Sequence, residues 1–114
     1  MKIKIKRVYD KASRDDGMRI LVDRLWPRGM SKATAKVDLW VKDVSPSTAL
    51  RSWFHKDKEK RFRDFSKKYK KELLAGKELA HLKKALQKKK VVTLITSVKD
   101  LESSHIPILL KLLK

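Results

Sequence analysis

Two arginines, Arg24 and Arg28, flank a tryptophan and a proline in the stretch DRLWPRG at residues 23–29. Pro27 fixes its own backbone torsion and biases Trp26 away from helix, so the arginines ride on a stiff turn. A guanidinium offers a planar fork of N–H donors that matches phosphate or carboxylate bidentately. Two forks on a rigid support read as an anion clamp. The other reading pairs each arginine with Asp23, Asp43 or Asp100 and makes the turn purely architectural. Ser97 and Lys99 add a hydroxyl and a cation from a second polar stretch, TSVKD at 96–100. His55 and His105 fall at helix ends, where an imidazole can serve as acid or base if the chain is an enzyme. A helix N-terminus at His105 would disfavour its charged form and leave a neutral ring. Either histidine taken alone also reads as the filling of a polar niche. His81 sits among lysines and reads as surface.

Other chemistries are poorly represented. There is no cysteine, so disulfides and thiolate metal sites are excluded. The three histidines lack the i, i+4 pairing of a zinc helix, and no metal is expected. Neither GxGxxG, GxxxxGKS/T nor GxSxG occurs, and the chain has only 3 glycines. No cofactor is therefore expected.

The elements that must position these residues follow from periodicity. Lys2 to Tyr9 alternates isoleucine with lysine and reads as a half-buried strand. Residues 11–17 form a polar turn ending in glycine, and Met18 to Val22 forms a second strand. Gly29 supplies a positive φ or a close backbone approach. Ser31 caps a short turn through Ala35. Val37 to Val41 alternates as a short strand. Ser45 as N-cap with Pro46 in the first helical position predicts a helix with Ala49, Leu50, Trp53 and Phe54 inward. Phe62, Phe65, Tyr69 and Leu73 predict a helix over 58–75, broken at Gly76. Leu79, Leu82 and Leu86 place another over 77–89. Val91 to Ile95 is apolar throughout, the mark of a strand covered on both faces. Residues 105–113 close the chain as a helix with Pro107 in its first turn. The tryptophans read as core plugs.

Strands separated by helices predict one α/β domain over residues 1–114, a three-layer sandwich with a small, mainly parallel sheet flanked by helices. Ligands of such sheets bind beyond the carboxyl ends of the strands, where Asp23-Arg24, Asp43 and the Thr96–Asp100 cluster all fall.

The 114 residues carry 31 Lys and Arg against 13 Asp and Glu, a net charge of +18. Residues 56–90 hold fifteen of the basic residues and five of the acidic ones, a net of +10. That lysine-rich pair of helices is a second candidate surface, for the phosphate backbone of a nucleic acid. Lysine outnumbers arginine 23 to 8, which also fits a solvated face. No apolar run approaches the ~20 residues of a membrane span, and no signal-peptide pattern opens the chain. A cytoplasmic protein without membrane contact is expected.

Three segments, KRVYD with DG (6–10, 16–17), RILVDRLWPRGMSK (19–32) and DLWVKDVSPSTALRSWFH (38–55), resemble the YeaO-like family. VVTLITSVKDLESSH (91–105) resembles its last strand and loop, so the likeness covers nearly the whole chain. The family comprises small bacterial and archaeal proteins classed as a domain of unknown function. The resemblance implies a compact α/β fold and carries over no catalytic assignment. Its polar positions correspond here to Tyr9, Asp10, Asp23, Arg24, Arg28, Asp43, Arg51, His55, Lys99, Asp100 and His105. This chain departs in having Ile95-Thr96 where relatives carry Leu-Tyr, and Ser104 where they carry Asn.

The combined reading is a small protein with an anion pocket at the strand ends. In it, Arg24 and Arg28 bind a phosphate or carboxylate, and Ser97 and Lys99 assist. Asp23, Asp43 and Asp100 orient the bases and arginines, and His55 or His105 transfers a proton if there is a reaction.

Overall fold

A computed structural model describes residues 1–114. Strands β1 (Lys2–Arg7), β2 (Met18–Leu21), β3 (Leu39–Trp40) and β4 (Val91–Thr96) form one parallel sheet in the order β1-β4-β2-β3. The sequence VVTLIT explains why β4 is central. Val92 and Leu94 feed one core and Ile95 feeds another across the sheet. Leu94 is in register with Ile5 on one side and Ile20 on the other.

Helices α2 (Thr48–His55), α3 (Lys58–Ala75), α4 (Glu78–Leu86) and α5 (Ile106–Leu113) cover one face with a core of sixteen buried residues. The opposite face is thin. The single turn α1 (Lys32–Ala35) and the segment bearing Trp26, Met30 and Val37 close over Val8, Leu21, Ala35 and Ile95. The architecture is thus the expected α/β sandwich, with a wholly parallel sheet. No helix is long and apolar enough to cross a membrane.

Local chemistry sets most boundaries. α3 spans Lys58–Ala75 as its apolar spacing predicts, with Phe65, Tyr69 and Leu73 buried. It ends where the Gly76 N–H bonds the Glu72 carbonyl. Ser31 caps α1 as expected, its hydroxyl accepting from the Thr34 N–H. The start of α2 differs from expectation. Ser47, not Ser45, is the N-cap; its hydroxyl accepts from the Leu50 N–H and donates to Glu72. Ser45 and Pro46 lie outside the helix because Arg24 donates to both of their carbonyls and holds the segment in place. The later start turns Ala49 to solvent, while Leu50 and Phe54 are buried.

The lysines of β1 also differ from a solvated edge. Lys4 donates to the Asp15 carbonyl at 2.8 Å, and Lys6 reaches the Asp16 carboxylate at 3.1 Å. Arg19, buried in β2, meets the same carboxylate at 2.6 Å and donates to the carbonyls of Ala35 and Lys36. The thin face is therefore partly polar, and every buried group in it is paired. Burial pushes the Asp16 carboxyl up, but the Ser13 N–H, Lys6 and Arg19 outweigh it and hold the pKa below the usual value.

Two glycines separate strain from space. Gly17 has φ +62°, and a Cβ there would lie 2.2 Å from the Val91 carbonyl oxygen. Gly29 has φ +78° with nothing within 4 Å of that position, so its role is torsional. Gly17→Ala is expected to cost about 2–4 kcal/mol in urea unfolding, backbone strain plus overpacking against β4. Gly29→Ala should cost only ~1–2 kcal/mol, the torsional part alone. Equal losses would contradict the steric assignment at Gly17.

Candidate functional site

The carboxyl ends of β2 and β4 lie side by side, and one residue joins them. Asp23, 8% exposed, accepts from the Thr96 hydroxyl at 2.6 Å. Its other oxygen accepts from the Ser97 N–H at 2.7 Å and the Ser97 hydroxyl at 2.9 Å. Its backbone carbonyl accepts from the Trp40 indole at 2.7 Å, which brings in β3. These bonds commit both Ser97 donors to Asp23 rather than to an anion.

His105 stands at the N-terminus of α5 against this hub, 7% exposed. Its Nε2 lies 2.9 Å from the Val22 carbonyl and 3.5 Å from Asp23 Oδ1. A carbonyl only accepts, so Nε2 carries the proton and donates. Nδ1 has no protein partner, yet no fully buried side-chain nitrogen or oxygen is left unpaired. Nδ1 is thus the ring atom open to the adjoining cleft, which His105 lines. Burial lowers the His105 pKa and Arg51 adds to the effect, outweighing Asp23 and the Val22 carbonyl.

The DRLWPRG turn divides its two arginines. Arg24 Nε and Nη2 donate to the carbonyls of Pro46 and Ser45 at 3.0 and 3.1 Å. Its Nη1 meets Asp43, itself well exposed, at 3.4 Å. The architectural alternative therefore describes Arg24. The Arg28 guanidinium is exposed and makes no ion pair. Its backbone carbonyl accepts from the Tyr9 hydroxyl at 3.2 Å, and Arg7 stacks over the Tyr9 ring at 5.2 Å. Trp26 is half-buried; its indole donates to the Met30 carbonyl and its ring meets Trp40 edge-on at 5.4 Å. It plugs the thin face as expected.

Around these residues opens a cleft of about 790 Å³. Asp23, Arg24, Arg28, His55, Ser97, Lys99, Asp100 and His105 all line it, whereas Asp43 stays outside the lining, held by Arg24. Asp100 caps its own loop, accepting from the Ser103 N–H at 3.3 Å. Arg51, a polar position shared with the family, and Lys58, which no motif marks, also line the cleft. The i, i+4 spacing of Arg51 and His55 on α2 is the signal that sets both on one helix face. Arg28, Arg51, Lys58 and Lys99 are exposed lining cations without an ion-pair partner in the protein. Partial burial, then Lys58 and Arg51, lower the pKa of His55.

His55 and His105 do not meet. They end a file of rings running through Phe54, Phe65 and Tyr69 with centroid spacings of 6.0, 4.1, 5.9 and 6.0 Å. The outward face of α3 and α4 is lysine-rich, and its helical aromatics Phe62, Phe65 and Tyr69 turn inward.

Fold and cleft together define a small parallel α/β protein with a cation-lined opening at the carboxyl edge of its sheet. The chain belongs to the DUF488-N3i family, described as the inactive DUF488-N3 subclade, whose model matches residues 2–114. It is similar to the uncharacterized protein YeaO of Escherichia coli K12, 43% identical over 109 residues, covering 92% of this chain and 90% of YeaO. It is also similar to the uncharacterized protein Rv3073c of Mycobacterium tuberculosis, 42% identical over 112 residues, covering 98% and 93% of the two chains. No solved structure gives a significant match.

Asp23→Asn would set a side-chain NH₂ against the donors of Thr96 or Ser97, and is expected to cost about 3 kcal/mol in chemical unfolding. Unchanged stability would contradict the hub. The lowered pKa of buried His105 sets a pH dependence. The unfolded chain binds the proton that the native ring refuses, so this contribution is full above ~6.5 and is lost as pH falls below it. A His105→Leu variant should show a flatter stability profile between about pH 7 and 5.

Proposed function

We propose that the protein binds a small anion, a phosphate or carboxylate, in the cleft at the carboxyl edge of its sheet. One observation carries this reading. Four exposed cations without ion-pair partners line the cleft against two exposed carboxylates, Glu59 and Asp100, while its one buried carboxylate, Asp23, is already satisfied by internal donors. Arg28, Arg51, Lys58 and Lys99 supply the charge. Arg24 supports them by fixing the segment that leads into α2. The stiff turn and the Asp23 hub hold the strand ends before a ligand arrives, which reduces the ordering cost of binding.

In the enzymatic form of this reading, His55 or His105 transfers a proton. Two facts weigh instead towards binding without turnover. The histidines lie at opposite ends of a file of rings, and the family is described as inactive. A second reading, nucleic-acid binding by α3 and α4, draws on the fifteen basic residues of 56–90. It predicts a steep loss of affinity with salt and no effect of Arg28→Ala.

Isothermal titration with inorganic phosphate, paired with melting curves, separates the two arginines. Arg28→Ala should weaken phosphate about tenfold, the loss of a charge-assisted contact. It should leave stability within about 0.5 kcal/mol of the native value. Arg24→Ala should destabilise by about 1–3 kcal/mol through its orphaned carbonyls. Native phosphate affinity in Arg28→Ala would defeat the anion-binding reading.

A further inference from the structure

The inner end of the cleft asks for different chemistry from its rim. His105 presents Nδ1 as a bare acceptor because its Nε2–H is committed to the Val22 carbonyl. Several neighbouring donors are committed too. The Ser97 hydroxyl and N–H both serve Asp23. The Ser104 hydroxyl donates to the Leu101 carbonyl at 2.7 Å while accepting from the Ile106 N–H. The Tyr69 hydroxyl, whose ring lies edge-on to His105, donates to the Val44 carbonyl. An unpaired acceptor on an almost wholly buried ring, open only to the cleft, marks a place for a donor. An anionic oxygen cannot be that partner, since two lone pairs would face each other. The Asp23 carboxylate, 3.5 Å from the same ring, further disfavours negative charge there. The buried wall of the cleft thus presents the His105 acceptor beside Asp23, while Arg28, Arg51, Lys58 and Lys99 stand exposed in its lining together with the carboxylates of Glu59 and Asp100.

We infer that the cleft takes an organic anion whose body carries hydroxyl or N–H donors, its anionic head at Arg28, Arg51, Lys58 and Lys99 and one donor on His105 Nδ1. The inference rests on the anion-binding reading and narrows it. An anion without a donor, such as sulfate, satisfies the mouth and leaves His105 Nδ1 to water. A hydroxylated phosphate or carboxylate satisfies both ends, and 790 Å³ is room for a ligand of several carbons with its hydration.

The test uses matched probes on the native protein by isothermal titration at low salt: methyl phosphate against ribose 5-phosphate, acetate against gluconate, and sulfate, which has no donor. The hydroxylated member of at least one pair should bind about fivefold more tightly, the worth of one neutral hydrogen bond. The pair that shows the preference tells which head the mouth takes. In His105→Leu the preference should vanish while sulfate still binds. Equal affinities within both pairs on the native protein would overturn the inference, and phosphate binding in that result would leave the anion reading standing. A preference that survives in His105→Leu would also overturn it. No binding by any probe would overturn both. The native comparison decides the matter if the variant does not fold.

Discussion

The hydrogen bonds to Asp23 hold the carboxyl edge of the sheet in register. A buried carboxylate is costly unless donors satisfy it, and Asp23 is satisfied by neighbours from β4 and the loop beyond it. Each bond also ties down backbone. Thr96 ends the central strand, Ser97 begins the loop that leads to Lys99, and Trp40 brings β3 to the Asp23 carbonyl. His105 fixes the start of α5 against the same point through Val22. Loops that follow parallel strands are otherwise the least constrained parts of such a sheet. Here they are pinned before the cleft forms between them.

The two sides of the sheet are built differently, and the difference serves the cleft. The helical side buries a continuous apolar core, which reaches the cleft through Phe54 and Phe65. The thin side relies on paired charges, with Asp16 held by Lys6 and Arg19. Such a pair is a weak source of net stability, yet removing one partner leaves a buried charge exposed to the full desolvation penalty. Trp26 and Trp40 close that side and seat the turn that carries Arg28 at the mouth of the cleft.

Much of this was legible in the sequence, for reasons that can be named. Helix α3 was readable because Phe62, Phe65, Tyr69 and Leu73 repeat at helical spacing and Gly76 follows. The central place of β4 was readable because VVTLI has no polar face to expose. The family follows from VDRLWPRG and its neighbours. What stayed hidden depended on tertiary partners. Ser45 read as the cap of α2, and the bonds from Arg24 to the Ser45–Pro46 segment and from Ser47 to Glu72 move the cap to Ser47. Arg24 and Arg28 look alike in DRLWPRG, but one is turned inward by carbonyls some twenty positions along the chain. Lys4 and Lys6 read as solvated, and a loop ten or so residues away claims both. Arg51 stood among the family's polar positions without a role and Lys58 in no motif, and the packing of α2 and the start of α3 beside the strand ends brings them to the cleft.

The central claim is that the exposed arginines of the cleft, rather than the basic face of α3, meet the anion. Arginine Nε–H resonances followed by NMR during titration with ribose 5-phosphate test it most directly. The account predicts shifts at Arg28 and Arg51, with Arg19 and Arg24 held unchanged by their internal acceptors. Shifts confined to Arg61 and Arg63 of α3, with Arg28 and Arg51 silent, would contradict it.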